Sequence, residues 1–244
     1  MQQCPSEIYT DENNLSLSTL SHELKNPLTL IRSTLQIIGC HHPEVRQDPL
    51  WPQLIIDLDY MSQLLTELSS LNTSRKLNYS KINIRQFLTN IIASYTSVAL
   101  TEDKQLSLNF QTEQVYFYGD SLKMREIFIN LIKNALEATE SGDQIIIDVK
   151  SRWSRLVVTV SDSGKGIDSG RLPTIFNPLV TYKPSGTGLG LTIVKNIVTA
   201  HGGSIQVYSK PGIGTKFILI LPLCPPGSHF DKDTEEIIPG STGR

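Results

Sequence analysis

Asn130 and Asn134, four residues apart in "NLIKNALEA", can do metal and phosphate chemistry. That step puts both on one face of a helix, while Leu131 and Ala135 face elsewhere. The amide oxygen of Asn134 suits Mg²⁺, a hard ion that prefers oxygen, and Lys133 could meet a phosphate. Two asparagines on a solvated face are the plainer reading. "DSGKGI" follows the strand-like "RLVVTV" and sets Asp162 at a strand end, where a carboxylate can accept from an exocyclic amine. Gly164 and Gly166 would let backbone approach a ring closely, although an ordinary aspartate–glycine turn explains the same residues. In "SGTGLGLTIV", Gly186, Gly188 and Gly190 lead straight into a helix. Successive amides ahead of a helix N-terminus make an anion site fit for ATP phosphates. No Gly-Lys-Ser/Thr follows, so this is not the P-loop, and no acidic residue closes a following strand as a dinucleotide fingerprint needs. Near the chain start, "SHELKNPLTLI" carries His22, Glu23, Asn26 and Pro27. On these residues alone His22 is either an exposed surface histidine or a nucleophile.

The elements that must position these residues follow from the apolar pattern. With Ser21 at heptad position a, Leu24, Leu28, Ile31, Leu35 and Ile38 fall alternately at d and a. His22, Glu23 and Asn26 then take b, c and f, away from the seam. "GCHHPEVRQDP" interrupts, and a second seam runs through Leu54, Leu58, Met61, Leu65, Leu68 and Leu71. Two helices joined this way make an antiparallel hairpin with a thin core, so pairing with a second copy into a four-helix bundle is expected. The polar "NTSRKLNYS", residues 72–80, is a linker. Beyond it the spacing predicts a short strand and helix in "INIRQFLTNIIASYTSVAL", a strand in "QLSLNFQ", and a helix with a stripe through Leu122, Ile127, Leu131 and Ala135. Two strands then turn around Trp153 and Ser154. A helix, a strand, the turn "PGIG" and a last strand follow. This half should be an α+β sandwich with helices on one face of a mixed sheet. From "CPPGSHF" onward a loose tail is expected. The domain plan is therefore 1–74, 75–224 and a tail at 225–244.

The chain has 244 residues, 39% hydrophobic and 19% charged, with a formal charge of −2 and a pI near 6.2. Those values fit a globular protein and give no bias toward nucleic acid or anionic membranes. Cys4, Cys40 and Cys224 match no metal spacing and suggest no disulfide framework, which fits a reducing compartment. No run approaches 18 apolar residues. The expected location is cytoplasmic, either as a soluble protein or as the cytoplasmic part of a membrane-anchored sensor, with no membrane contact by this segment.

"SHELKNPLTLI", "NLIKNALEA", "DSGKGI", "IFNPLVTYKPSGTGLGL" and "HGGSIQVYSKPGIGTKF" together resemble the H, N, G1, F and G2 boxes, with the closing glycine box, of bacterial sensor histidine kinases. The resemblance runs from about residue 15 to 222. It implies a dimerisation and phosphoacceptor hairpin followed by an ATP-binding domain of the superfamily that includes Hsp90, gyrase and MutL. It implies that His22 receives the γ-phosphoryl group of ATP, through Nε2, and that Glu23 is the base or tautomer-fixing carboxylate. Asn134 would hold Mg²⁺, Asn130 would face the same pocket, and Glu126 would orient water or metal. Asp162 would recognise adenine with help from Thr215, and Lys133 and Lys183 would approach phosphates. The segment from Lys165 to Thr187 would be the ATP lid. Asn26, in a Glu-x-x-Asn arrangement, could position water to dephosphorylate a partner. That partner would be a response regulator docking low on the bundle near His22, with an upstream sensor domain or protein supplying the signal. One departure is "FNPL", where a second aromatic is common; Leu179 should keep the apolar anchor. The rival is an ATPase or serine/threonine kinase of the same superfamily that uses the hairpin only to dimerise.

Overall fold

The computed structural model describes residues 10–73, 77–112, 116–183, 186–224, 228–230 and 237–239, with backbone alone at 10–19, 22, 72, 73, 228–230 and 237–239. The chain divides into two compact units: Met1–Arg75 with Asn177–Ile193, and Lys76–Phe176 with Val194–Arg244.

The first unit is built on a helical hairpin. Helix α1 (Thr10–His41) runs on through Pro27, whose missing N–H leaves the Glu23 carbonyl without its usual donor. A short 3₁₀ turn, Pro43–Gln47, and helix α2 (Trp51–Thr73) complete the hairpin. The helices meet through Ser21, Leu28 and Leu58, all buried, and are tied across by the Arg32–Asp59 ion pair at 2.9 Å. The predicted seam splits in two. Of its a positions Ser21 and Leu28 are buried and Leu35 is half-buried, whereas Leu24, Ile31 and Ile38 at the d positions stay exposed, as do Leu54 and Met61 on α2.

The second unit is a sheet with helices packed on it. Strand β1 (Ser80–Asn83) leads into helix α3 (Ile84–Thr101), which Asn83 caps by accepting from the Gln86 N–H at 3.1 Å. Strand β2 (Gln105–Phe110) follows. Strand β3 (Tyr116–Gly119), absent from the sequence reading, pairs antiparallel with β1. Helix α4 (Ser121–Ala138) is capped by Asp120, which accepts from Leu122 and Lys123 N–H at 3.0 and 3.1 Å, a device worth about 1 kcal/mol. Strands β4 (Gln144–Arg152) and β5 (Arg155–Asp162) form a hairpin turning at Trp153, with helix α5 (Gly190–Ala200) and strands β6 (Ser204–Lys210) and β7 (Gly214–Pro222) after them. The five-stranded order is β2-β4-β5-β7-β6, with β2–β4 the parallel pair. Alternate residues of the central strands are buried: Ile145, Ile147 and Val149, then Leu156, Val158 and Val160, then Phe217, Leu219 and Leu221. This two-residue period with one covered face is what period-2 apolar patterning produces.

Two sequence expectations need correction. Leu122 is 77% exposed and lies outside the core. The inward stripe of α4 instead runs Met124, Ile127, Phe128, Leu131, Ile132 and Ala135, because the helix starts at Ser121 and turns its first residues to solvent. The tail also contains structure. Strands β8 (Ser228–Phe230) and β9 (Ile237–Pro239) pair antiparallel. Among the described residues no helix is long and apolar enough to cross a membrane.

Candidate active site

Asp162 is the last residue of β5, and the sheet register places it opposite Thr215 on β7. Its Oδ1 accepts two backbone N–H bonds, from Gly164 at 3.1 Å and from Thr215 at 3.2 Å. The carboxylate is thus fixed at the strand end before any ligand meets it. Thr215 is itself buried and joined to Ser209 at 3.0 Å between hydroxyls. The Ser209 proton goes to the Gly214 carbonyl at 2.9 Å, so Thr215 is the donor between the two hydroxyls. Ser209 also accepts the Ile167 N–H at 2.8 Å, pinning the start of the loop. Ser209 was not singled out from sequence. Its position opposite Thr215 becomes legible once "PGIG" is taken as a hairpin turn.

The glycines of "DSGKGI" answer first to the protein itself. A Cβ on Gly164 would lie 2.1 Å from the Ala138 carbonyl oxygen, and one on Gly166, with φ +68°, would lie 2.2 Å from the Lys210 carbonyl oxygen. Lys165 N–H bonds to Ala138 O at 3.0 Å. The turn after Asp162 is therefore pressed against the C-terminal end of α4, one helical turn beyond Asn134. Gly214, also missed, is as constrained: its φ is +125° and a Cβ would fall 1.9 Å from the Asp162 carbonyl oxygen.

On α4, Asn130 and Asn134 are both half-buried. Asn130 donates its amide nitrogen to the Glu126 carbonyl at 2.9 Å, which makes Oδ1 the atom of this amide suited to a cation. Glu126 pairs with Lys123 at 3.3 Å, and Lys133 is exposed on the same helix. Among the described residues no group of three His, Cys, Asp or Glu side chains could hold a metal ion. A cation here would rest on amide oxygens and on the oxygens of a bound phosphate chain, a donor set that fits Mg²⁺.

The glycine-rich loop belongs to the first unit. Gly188, at φ +70°, packs so closely on Leu179 and Val180 that a Cβ would lie 2.6 Å from the Leu179 carbonyl carbon. Gly186 lies against Thr181 and Lys183, and its N–H bonds to the Lys183 carbonyl at 3.3 Å. Lys183 is half-buried, and Gly190 begins α5. Leu179 is not the anchor expected of it: it is 63% exposed with φ +61°. In the second unit Phe176 packs edge-to-face on Phe217, with ring centroids 6.5 Å apart.

On α1, Glu23 and Asn26 are exposed, as the heptad frame requires. The His22 side chain lies outside the described residues. Its backbone is helical, one residue before the carbonyl that Pro27 leaves open.

Known proteins resemble this chain in sequence and in fold. Residues 119–225 match the family described as "Histidine kinase-, DNA gyrase B-, and HSP90-like ATPase". The sensor histidine kinase ZraS of Salmonella typhi is 30% identical over 206 residues, covering 84% of this chain and 44% of that protein, so the chain spans under half the length of that curated relative. The solved catalytic domain of histidine kinase ThkA superposes with a TM-score of 0.57 at 27% identity, over 61% of this chain and 99% of that one. ThkA in complex with response regulator protein TrrA superposes at 0.65 and 23% identity, over 88% of this chain and 65% of that one. Residues 119–225 thus resemble the histidine kinase-, gyrase B- and HSP90-like ATPases, and over most of its length the chain is similar in sequence to sensor histidine kinases.

Proposed function

We propose that the chain transfers the γ-phosphoryl group of ATP to His22 and then to a response regulator aspartate. The observation that carries the reading is the contact of Gly164 with Ala138. It joins the turn after Asp162, suited to an adenine amine, to the end of the helix bearing Asn130 and Asn134. Residues 75–224 are the catalytic domain and 1–74 the phosphoacceptor hairpin.

Asp162 accepts from the exocyclic amine of adenine, with Thr215 beside it. Asn134 holds Mg²⁺, with Asn130 and Glu126 ordering its surroundings. Bound there, Mg²⁺ would neutralise the charge that builds on the phosphate oxygens during transfer. Gly186, Gly188 and Gly190 present amides to the phosphates, and Lys183 and Lys133 supply positive charge. A neutral ring nitrogen of His22 attacks phosphorus, the bond to the β–γ bridging oxygen breaks, and ADP leaves with that electron pair. Glu23 accepts or orients the ring proton. In the second step an aspartate oxygen of the regulator takes the phosphoryl group and the P–N electrons return to the ring. Asn26, exposed one helical turn from His22 in sequence, orders water for dephosphorylation of the regulator. The solved complex of ThkA with TrrA supports a response regulator as partner. The uncovered stripe Leu24, Ile31 and Ile38 supports a homodimeric four-helix bundle. An upstream sensor domain or protein supplies the signal.

Incubation with γ-labelled ATP and Mg²⁺ tests the reading. Label should enter the wild-type chain and be lost in His22→Gln. Equal labelling of both would favour a serine/threonine kinase of the same superfamily.

A further inference from the structure

One polar contact ties the hairpin to the glycine-rich loop inside the first unit. The Thr187 hydroxyl donates to Oε2 of Glu67 on α2. The other carboxylate oxygen, Oε1, accepts from Gln63 Nε2 at 2.7 Å, one helical turn earlier. Glu67 is thus held at both oxygens. Thr187 is equally fixed: it is 7% exposed, and its Oγ1 also accepts the Leu189 N–H at 3.3 Å. The hydroxyl that meets Glu67 therefore shapes the turn into α5 as well. Thr187 lies between Gly186 and Gly188, whose close packing on Thr181 and on Leu179–Val180 makes this stretch one folded piece.

We infer that Glu67 is a positioning residue that tunes how tightly the glycine-rich loop takes the phosphates of a nucleotide. From the hairpin it holds the Thr187 hydroxyl and so sets a negative charge one side chain away from the backbone of the glycine-rich loop. The inference rests on the proposal that this loop receives the phosphates of ATP. An anion site at a helix N-terminus draws any anion, and the Glu67 carboxylate is a resident one at its edge. Phosphates arriving at the same amides meet its like charge at close range, in a half-buried setting that screens it less than bulk water. Nucleotide affinity is therefore set partly by a residue on the helix that pairs with the His22 helix. A movement of α2 that releases Thr187 would raise affinity without touching a nucleotide contact.

The test is titration of the full chain with Mg·AMPPNP and, separately, with adenosine. Wild type, Glu67→Gln, Thr187→Val and the double variant are compared. Glu67→Gln should tighten AMPPNP about fivefold, the scale of one partly screened charge interaction, and leave adenosine binding unchanged. Thr187→Val should also tighten AMPPNP, and the double variant should gain no more than the larger single effect, since one removes the charge and the other frees that same charge from the loop. Unchanged or weaker AMPPNP binding in Glu67→Gln overturns the inference. So do additive effects, or an adenosine gain as large as the AMPPNP gain, which would mark general loosening. A wild-type chain that binds no AMPPNP fails earlier, at the nucleotide reading itself.

Discussion

At the scale of single residues, the site is held by backbone amides more than by side-chain pairs. Asp162 spends Oδ1 on the N–H groups of Gly164 and Thr215, so its orientation is set by the strand end. Asp162→Asn keeps an oxygen for those two amides and removes the charge. It should leave the fold intact and weaken ATP binding by about 2 kcal/mol, the cost of a hydrogen bond to a charged group, readable by titration calorimetry. Unaltered affinity would remove Asp162 from adenine recognition. The strand-end place of Asp162 and the shared helix of Asn130 and Asn134 were legible in sequence because spacing carries them. Ser209 and Gly214 were not, since their roles depend on which strand lies beside β5. Leu179 shows the opposite failure: an apolar residue in an apolar box reads as an anchor, yet its backbone turns left-handed and carries the side chain outward.

At the scale of elements, the hairpin is a half-finished core. One pair of helices covers Ser21, Leu28 and Leu58, while Leu24, Ile31, Ile38, Leu54 and Met61 stay in solvent. The heptad pattern foresaw the seam. The split between positions a and d is a packing outcome, because one neighbouring helix can cover only part of an apolar stripe. A second copy would cover the rest. Burying an isoleucine is worth about 2 kcal/mol and counts twice across a two-fold axis. Ile31→Asp should therefore turn a dimer into monomer at micromolar concentration by light scattering, with helicity retained. A variant that stays dimeric would place the interface elsewhere. Helix α4 was legible in extent and at Ile127, Leu131 and Ala135, whereas Leu122 fits the stripe by spacing and escapes it by lying in the first turn.

At the scale of the whole molecule, His201 gathers distant segments of the second unit. It is 1% exposed; its Nε2 accepts the Asp120 N–H at 3.0 Å, and its Nδ1–H donates to the Ile197 carbonyl at 2.8 Å. Asp120 in turn caps α4 and accepts the Asn78 N–H at 3.0 Å, and the rings of Tyr79 and Phe117 close over the imidazole. Burial holds the His201 pKa below its ordinary 6.5, against the pull of the Ile197 carbonyl and the Asp120 carboxylate. Below pH 6.5 the unfolded chain then binds a proton that the folded one refuses, so stability falls as pH drops through 6.5 toward the folded value. Thermal unfolding should show that slope in wild type and a flatter one in His201→Gln, which keeps an acceptor for Asp120; equal slopes would contradict it. This node was invisible in sequence, because nothing local in "HGG" points to a residue 81 positions away. In the proposed function, phosphate from ATP comes to rest on a histidine nitrogen. The most direct measurement locates that phosphate by mass spectrometry after treatment with acid or alkali. The expected result is a phosphate on His22, lost in acid and retained in alkali; an acid-stable phosphate on serine or threonine would rule out the histidine as acceptor.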